Sequence, residues 1–216
     1  GVLGCGRGAW WVDLHRYVGV VVFATLLCFG PGERGARFRD AGVADSVYPI
    51  RADARALPFA AEFFDAIVGI DSFVYYGTDD LYANYLAAFV RPGATIAIAG
   101  AGLTREIDGP TPEHLRSWWE PSMACLHSAA WWQRHWQRSG VLDVERADTM
   151  PGGWRRWLDW QLEVAPDNTT EIQALEQDGG SYLGYVRVIA RRADRPLDPH
   201  ITTVDTTYHP QPLLRS

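Results

Sequence analysis

An α/β domain with a mostly parallel, doubly wound sheet and helices on both faces is the fold class that three observations predict. Short apolar runs alternate with segments of helical spacing, at the interval that right-handed βαβ units require. The longest uncharged apolar run, Val18 to Gly30, lacks the polar alternation of a half-exposed strand, as expected for a strand covered on both faces. Close to the start, Gly4-Cys5-Gly6-Arg7-Gly8 places glycines at alternate positions just before a predicted helix. Without Cβ atoms such a turn lets a ligand lie against the backbone and frees the N–H groups of the helix start.

The elements follow in order. Val2-Leu3 reads as the stub of a first strand feeding a helix from Gly8 to Tyr17. A central strand usually has about five residues, and no Met opens the chain, so a truncated start is expected. Strands are predicted over Val20–Thr25, Val47–Ala52 and Phe64–Ile70, with a helix over Glu33–Ala41. Asp79–Val90 has helical spacing at Leu81, Tyr85, Leu86 and Phe89, with two acids at its amino end. Arg91-Pro92-Gly93 is expected to end it, and Ala94–Gly100 is a fifth strand of small residues. From Leu103 to Ser128 the periodicity vanishes, which predicts a covering insert. A helix over Ala129–Ser139, a strand over Val141–Ala147, helices over Trp154–Leu162 and Thr170–Asp178, and a strand over Tyr182–Arg191 complete the domain. Residues 1–193 are read as one domain with cover inserts at 103–128 and 151–178, and 194–216 as a loosely ordered tail.

At 216 residues a single core is the default. A net charge of −6 with no basic run argues against nucleic acid or an anionic membrane as partner. The apolar stretches are shorter than the roughly 20 residues a bilayer requires. Cys5, Cys28 and Cys125 are odd in number and widely spaced, which gives neither a disulfide framework nor a metal pattern. A reducing, cytoplasmic location is the simplest expectation.

Downstream of the glycines comes Arg51-Ala52-Asp53-Ala54-Arg55-Ala56-Leu57-Pro58-Phe59, one carboxylate at a strand end beside a short apolar loop, a combination suited to an adenine ring. With Phe64-Asp65-Ala66-Ile67-Val68 and Val90-Arg91-Pro92-Gly93 in the same order, the chain resembles the class I S-adenosylmethionine-dependent methyltransferases over roughly residues 1–192. The resemblance implies a Rossmann-like, seven-stranded sheet whose last strand is antiparallel, and S-adenosylmethionine (SAM) as cofactor. It implies that Gly4, Cys5, Gly6 and Gly8 approach the amino-acid part and ribose of the cofactor. Asp53 would bond the adenine amino group, with Ala54 and Leu57 beside the ring, and Asp71 would lie near the methionine moiety and the transferred methyl. Two positions depart from the family pattern: Val2 stands where an acid usually precedes the glycines, and Thr25 where an acid usually clamps the ribose. A hydroxyl makes one neutral bond where a carboxylate accepts two charge-assisted ones, so weaker cofactor binding is expected.

For the acceptor side, a hydroxyl nucleophile benefits from a base. Glu106, Glu113, His114, Glu120 and His127 all fall in the cover, and His114 and His127 are preferred because imidazole titrates near neutrality. Tryptophans crowd the second half, and Trp118, Trp119, Tyr75 and Tyr76 are candidates to wall an acceptor site, although packing of the inserts is the plainer use of such rings. No metal ligand set is evident. The expected partner is a small-molecule methyl acceptor, with a homodimer face as the other use of apolar cover segments. Two rival readings remain: a degenerate, non-catalytic cofactor binder or regulatory subunit, and a nicotinamide-dependent oxidoreductase, whose fingerprint Gly4-x-Gly6-x-x-Ala9 also satisfies but whose ribose-binding acid Thr25 again lacks.

Overall fold

The computed structural model of the chain describes residues 1–3, 19–26 and 38–204. The strands are β1 (Val2–Leu3), β2 (Val22–Leu26), β3 (Val47–Arg51), β4 (Phe64–Ile70), β5 (Val90–Leu103), β6 (Leu142–Thr149) and β7 (Leu183–Arg192). The helices complete within the described residues are α1 (Tyr82–Ala87), α2 (Ala129–Arg138), α3 (Gly153–Val164) and α4 (Thr169–Asp178). The strands form one sheet in the order β3-β2-β1-β4-β5-β7-β6. β1 to β5 pair in parallel, whereas β7 runs antiparallel to both β5 and β6. The α/β class read from the sequence is therefore the one observed.

β1 lies between β2 and β4, so the chain crosses the sheet in one direction to reach β3 and in the other to reach β5. Ligands of open α/β sheets bind at such a point, outside the carboxyl ends of the strands. Leu3, paired with Thr25 and Gly69, is the last residue of β1 and the residue before Gly4.

The main core packs Ile67, Ile96 and Val188 of the sheet against Tyr82 and Leu86 of α1 and Trp132 and Trp136 of α2. Trp132 and Trp136 are one turn apart and bury the same face of α2. Its amino end is fixed by Ser128, whose Oγ accepts the Trp131 N–H at 3.2 Å. A separate cluster under the cover joins Leu103, Leu115, Trp118, Leu175 and Leu183.

Several boundaries differ from expectation: β2 runs over Val22–Leu26 rather than Val20–Thr25 and α1 over Tyr82–Ala87 rather than Asp79–Val90, and at β5 two differences have physical reasons. Arg91-Pro92-Gly93 does not end a helix before β5 but lies inside the strand, as a bulge: Phe64 pairs with Val90, and the register resumes with Ala66 opposite Thr95. Gly93 takes a φ of 76° there, and proline, lacking an N–H, is tolerated in a sheet at such bulges. β5 also extends past Gly100 to Leu103, because β7 pairs with it as far as Leu103 and Leu183. Beyond β7, Leu197, Ile201 and Val204 pack against the main core, and the Asp198 N–H donates to Asn84 Oδ1 at 3.2 Å.

Candidate functional site

Four predicted cofactor residues, Gly4, Cys5, Gly6 and Gly8, lie outside the described residues. The others sit at or just beyond the carboxyl ends of β2, β3 and β4. Thr25, near the end of β2, is 2% exposed, and its Oγ1 is buried with no hydrogen-bond partner among the described residues. An orphaned hydroxyl at this strand end is a feature that a ligand's polar group would satisfy.

Asp53, just past β3, holds its turn closed. Its Oδ1 accepts the Arg55 N–H at 2.9 Å and Arg55 Nε at 3.0 Å, and its Oδ2 accepts Arg55 Nη2 at 2.9 Å. The Arg55 guanidinium holds this carboxyl below the usual carboxylate range against the opposing effect of burial. Each oxygen of an ionised carboxylate has two acceptor positions, so the Arg55 clamp leaves capacity for a ligand donor. The loop is anchored to α1 from both ends: Tyr82 OH donates to the Ala54 carbonyl at 2.9 Å, and the Leu57 N–H donates to Tyr85 OH at 2.7 Å. Leu57 is buried beneath it.

Asp71 follows β4 directly and takes a left-handed φ of 53°, uncommon for any residue but glycine and least so for Asp and Asn. Its N–H donates to the Ala99 carbonyl at 2.9 Å, and its Oδ1 accepts Tyr185 OH at 2.5 Å. Burial pushes its pKa up, and the Tyr185 hydroxyl and the Ala101 N–H pull it back. Gly100 and Gly102, two apart on β5 and so on one face, let the neighbouring segments come close. A Cβ on Gly100 would stand 3.4 Å from Asp71 Oδ1, and one on Gly102 would stand 2.8 Å from the His127 carbonyl. The end of β4 and the cover segment at His127 thus approach the same strand about 7 Å apart along it.

His127 is 7% exposed. Glu106 lies 3.0 Å from its Nδ1 through Oε2, and the other Glu106 oxygen accepts the Ser128 N–H at 2.7 Å. Burial raises the Glu106 carboxyl, but the bonds from His127 and Ser128 more than offset it and hold it below its ordinary value. An ionised Glu106 can only accept, so the Nδ1 of His127 carries the proton and, in the neutral ring, Nε2 carries the lone pair. That Nε2 is buried with no hydrogen-bond partner among the described residues. Trp131 stacks on the imidazole at 3.7 Å and an interplanar angle of 7°, and on His135 at 4.7 Å. His135 itself donates from Nε2 to the Gly77 carbonyl at 3.0 Å.

His114 is placed differently. Its Nε2 lies 2.9 Å from Asp178 Oδ1, and the buried Asp178 also accepts the N–H groups of Tyr182 and Leu183. Trp118 is buried edge-on to Trp119 and Trp157 in the cover's own cluster, with Trp119 partly buried beside it. Tyr76 turns inward, with its hydroxyl 3.0 Å from Ser72 Oγ and burial pushing its phenol far up, whereas Tyr75 stands 54% exposed. Two site residues were not legible in the sequence. Tyr185 meets Asp71 across 114 positions and Asp178 meets His114 across 64, separations at which no local pattern exists. Among the described residues no group of His, Cys, Asp or Glu could hold a metal ion, and no helix is long and apolar enough to cross a membrane.

No protein-family model and no curated protein matches the sequence. Solved structures do match in fold. The chain is 18% identical to geranyl diphosphate C-methyltransferase from Streptomyces coelicolor A3(2), in complex with Mg2+, geranyl diphosphate and S-adenosyl-L-homocysteine, over 89% of this chain and 71% of that one, with a TM-score of 0.70. It is 15% identical to Haemonchus contortus phosphoethanolamine N-methyltransferase 2 in complex with SAM, over 89% of this chain and 48% of that one, with a TM-score of 0.67. It is 14% identical to the 4+2 cyclase SpnF, over 89% of this chain and 74% of that one, also with a TM-score of 0.67. At these identities the likeness is one of fold, and that fold carries both methyltransferases and a cyclase, so activity must be argued from the site.

Proposed function

We propose that the chain is a SAM-dependent methyltransferase that acts on a small-molecule acceptor by in-line transfer. The observation that carries this reading is the placement of Asp53 and Asp71 past the ends of β3 and β4, on either side of the β1 end that leads into the glycine run. The fold likeness supports it. So does the antiparallel β7 between β5 and β6, which departs from the 3-2-1-4-5-6 order of dinucleotide-binding sheets and disfavours the nicotinamide reading.

The residues present fit the cofactor: an orphaned Thr25 hydroxyl for the ribose, Asp53 with its apolar loop for the adenine, and Asp71 for the positively charged methionine end. When bound, the cofactor supplies an activated methyl electrophile on its sulfonium. What remains for the chain is alignment, exclusion of water and a destination for the acceptor's proton. His127 takes that proton at Nε2, while Glu106 fixes the tautomer and stabilises the imidazolium. His114, held by Asp178, has a packing role.

Calorimetric titration of the purified chain with S-adenosylhomocysteine and with NADH tests the cofactor, and transfer of a labelled methyl from SAM into a metabolite mixture tests the reaction. Binding of the homocysteine product, no binding of NADH and at least one labelled acceptor are expected. Failure to bind the product overturns the reading. Thr25 in place of a ribose-clamping acid favours one alternative, a non-catalytic cofactor-binding or regulatory subunit, and binding without any labelled acceptor would select it.

A further inference from the structure

We propose that Tyr185, on β7, is a positioning residue for the cofactor site, holding the Asp71 carboxylate where it meets the positively charged methionine end of the bound cofactor. This rests on the transferase reading above. Asp71 ends β4 in a left-handed backbone conformation, which persists in a non-glycine residue only when its surroundings fix it. Its N–H is tied to Ala99 on β5, but a carboxylate at the exposed crest still needs a partner to choose one rotamer. Tyr185 OH supplies it at 2.5 Å.

Tyr185 is itself held from behind. Its carbonyl accepts the Met150 N–H at 2.7 Å, and Gly153, at the start of α3, packs so closely that an added Cβ would stand 2.6 Å from Tyr185 Cβ. The tyrosine therefore transmits the position of β7 and of the β6–α3 turn to the crest. The bond lies at the partly open rim of the sheet and joins no core group, so its main use lies in orientation.

The groups that act on Asp71 are Tyr185 from β7 and the Ala101 N–H from β5, and the Tyr75 phenol in the turn after β4 feels its charge. Burial and the adjacent carboxylate push the Tyr185 phenol far above its ordinary value, so it remains a donor throughout the useful pH range. Burial raises Asp71, and the Tyr185 hydroxyl lowers it by favouring the ionised form. Ionised Asp71 is the form that attracts a cation, so its contribution to binding is lost as pH falls through its pKa. Removing the hydroxyl raises that pKa, and the loss then begins at a higher pH.

The test is calorimetric titration of the full chain with S-adenosylhomocysteine, which retains the α-ammonium, across acidic to neutral pH. The wild type, Tyr185→Phe, Asp71→Asn and the double variant are compared, with melting temperatures alongside. Tyr185→Phe is expected to weaken binding about 5- to 10-fold, to move the acid loss of affinity to higher pH and to leave the melting temperature unchanged. Asp71→Asn is expected to remove that pH dependence, and the double variant to bind no more weakly than Asp71→Asn alone. Unchanged affinity and pH profile in Tyr185→Phe, or additive losses in the double variant, overturn the proposal. A wild type that does not bind the product overturns the transferase reading itself, a distinguishable result. Should Tyr185→Phe melt early, the pH profile of Asp71→Asn decides: one matching the wild type sinks the idea.

Discussion

The acids at the crest of the sheet and the histidines of the cover are held in opposite ways. Asp53 and Asp71 have their backbones fixed by local bonds, Asp53 by a turn closed two residues on at Arg55 and Asp71 by the last pairing of β4 with β5, and Tyr185 adds a side-chain partner only at the Asp71 carboxylate. His114 and His127 take theirs from carboxylates distant in sequence, Asp178 and Glu106. Strand ends thus fix the cofactor side to the rigid sheet, while the acceptor side depends on side-chain pairs within irregular segments. Within the cover the two histidines also differ. The partner of His114 is buried and already accepts two backbone N–H groups, as a cross-link between segments does, whereas His127 keeps one ring nitrogen without a partner among the described residues.

The sharpest way to break that contrast is to replace each histidine with Asn. If His127 is the base, His127→Asn lowers kcat by about 10²- to 10⁴-fold and leaves the product affinity within about twofold, since its described partners are Glu106 and Trp131 of the cover and α2 rather than Thr25, Asp53 or Asp71. His114→Asn should change kcat little and lower the melting temperature instead. Equal kinetic losses from both substitutions, measured with any identified acceptor, would erase the distinction.

Asp178→Asn tests the structural half of the comparison. The new amide puts N–H groups against donors from His114, Tyr182 and Leu183, inside a site where the Asp178 side chain is 0% exposed. A loss of about 3 kcal/mol is expected, roughly 10 °C in Tm for a domain of this size, with cofactor affinity preserved. Thermal unfolding by circular dichroism reads it, and an unchanged Tm would show that the cover does not depend on this cross-link.

The same contrast governs how much could be read from the residues. β4, Phe64–Ile70, was legible to the residue because an apolar run is bounded by its own turn signals. The Asp53 loop was legible because carboxylate, turn and apolar residues are contiguous. At Arg91-Pro92-Gly93 the turn chemistry was read correctly and its setting was not, since pairing with β4 on both sides of it carries the strand through the bulge. Glu106 appeared as one acid among several, and only the chain's return to it at His127 distinguishes it. Tyr185 gave no signal, because its partner is set by the position of β7 in the sheet.

The smallest expected effect concerns Thr25, where the two regions' logic can be separated at a single oxygen. Its Oγ1 is buried without a partner among the described residues, so Thr25→Val removes an unsatisfied group with almost no change of shape and should stabilise the ligand-free chain by about 1 kcal/mol. If the hydroxyl serves the ribose, the same substitution should weaken product binding by a few-fold, the value of one neutral hydrogen bond of about 0.5–1.5 kcal/mol. Thr25→Asp should do the reverse, destabilising the ligand-free chain by burying a charge while tightening the cofactor through two charge-assisted bonds. Stability and affinity moving in opposite directions in both variants, by thermal unfolding and calorimetry, would tie this strand end to the ligand. Parallel movement would make Thr25 a packing residue and leave the ribose to be held elsewhere.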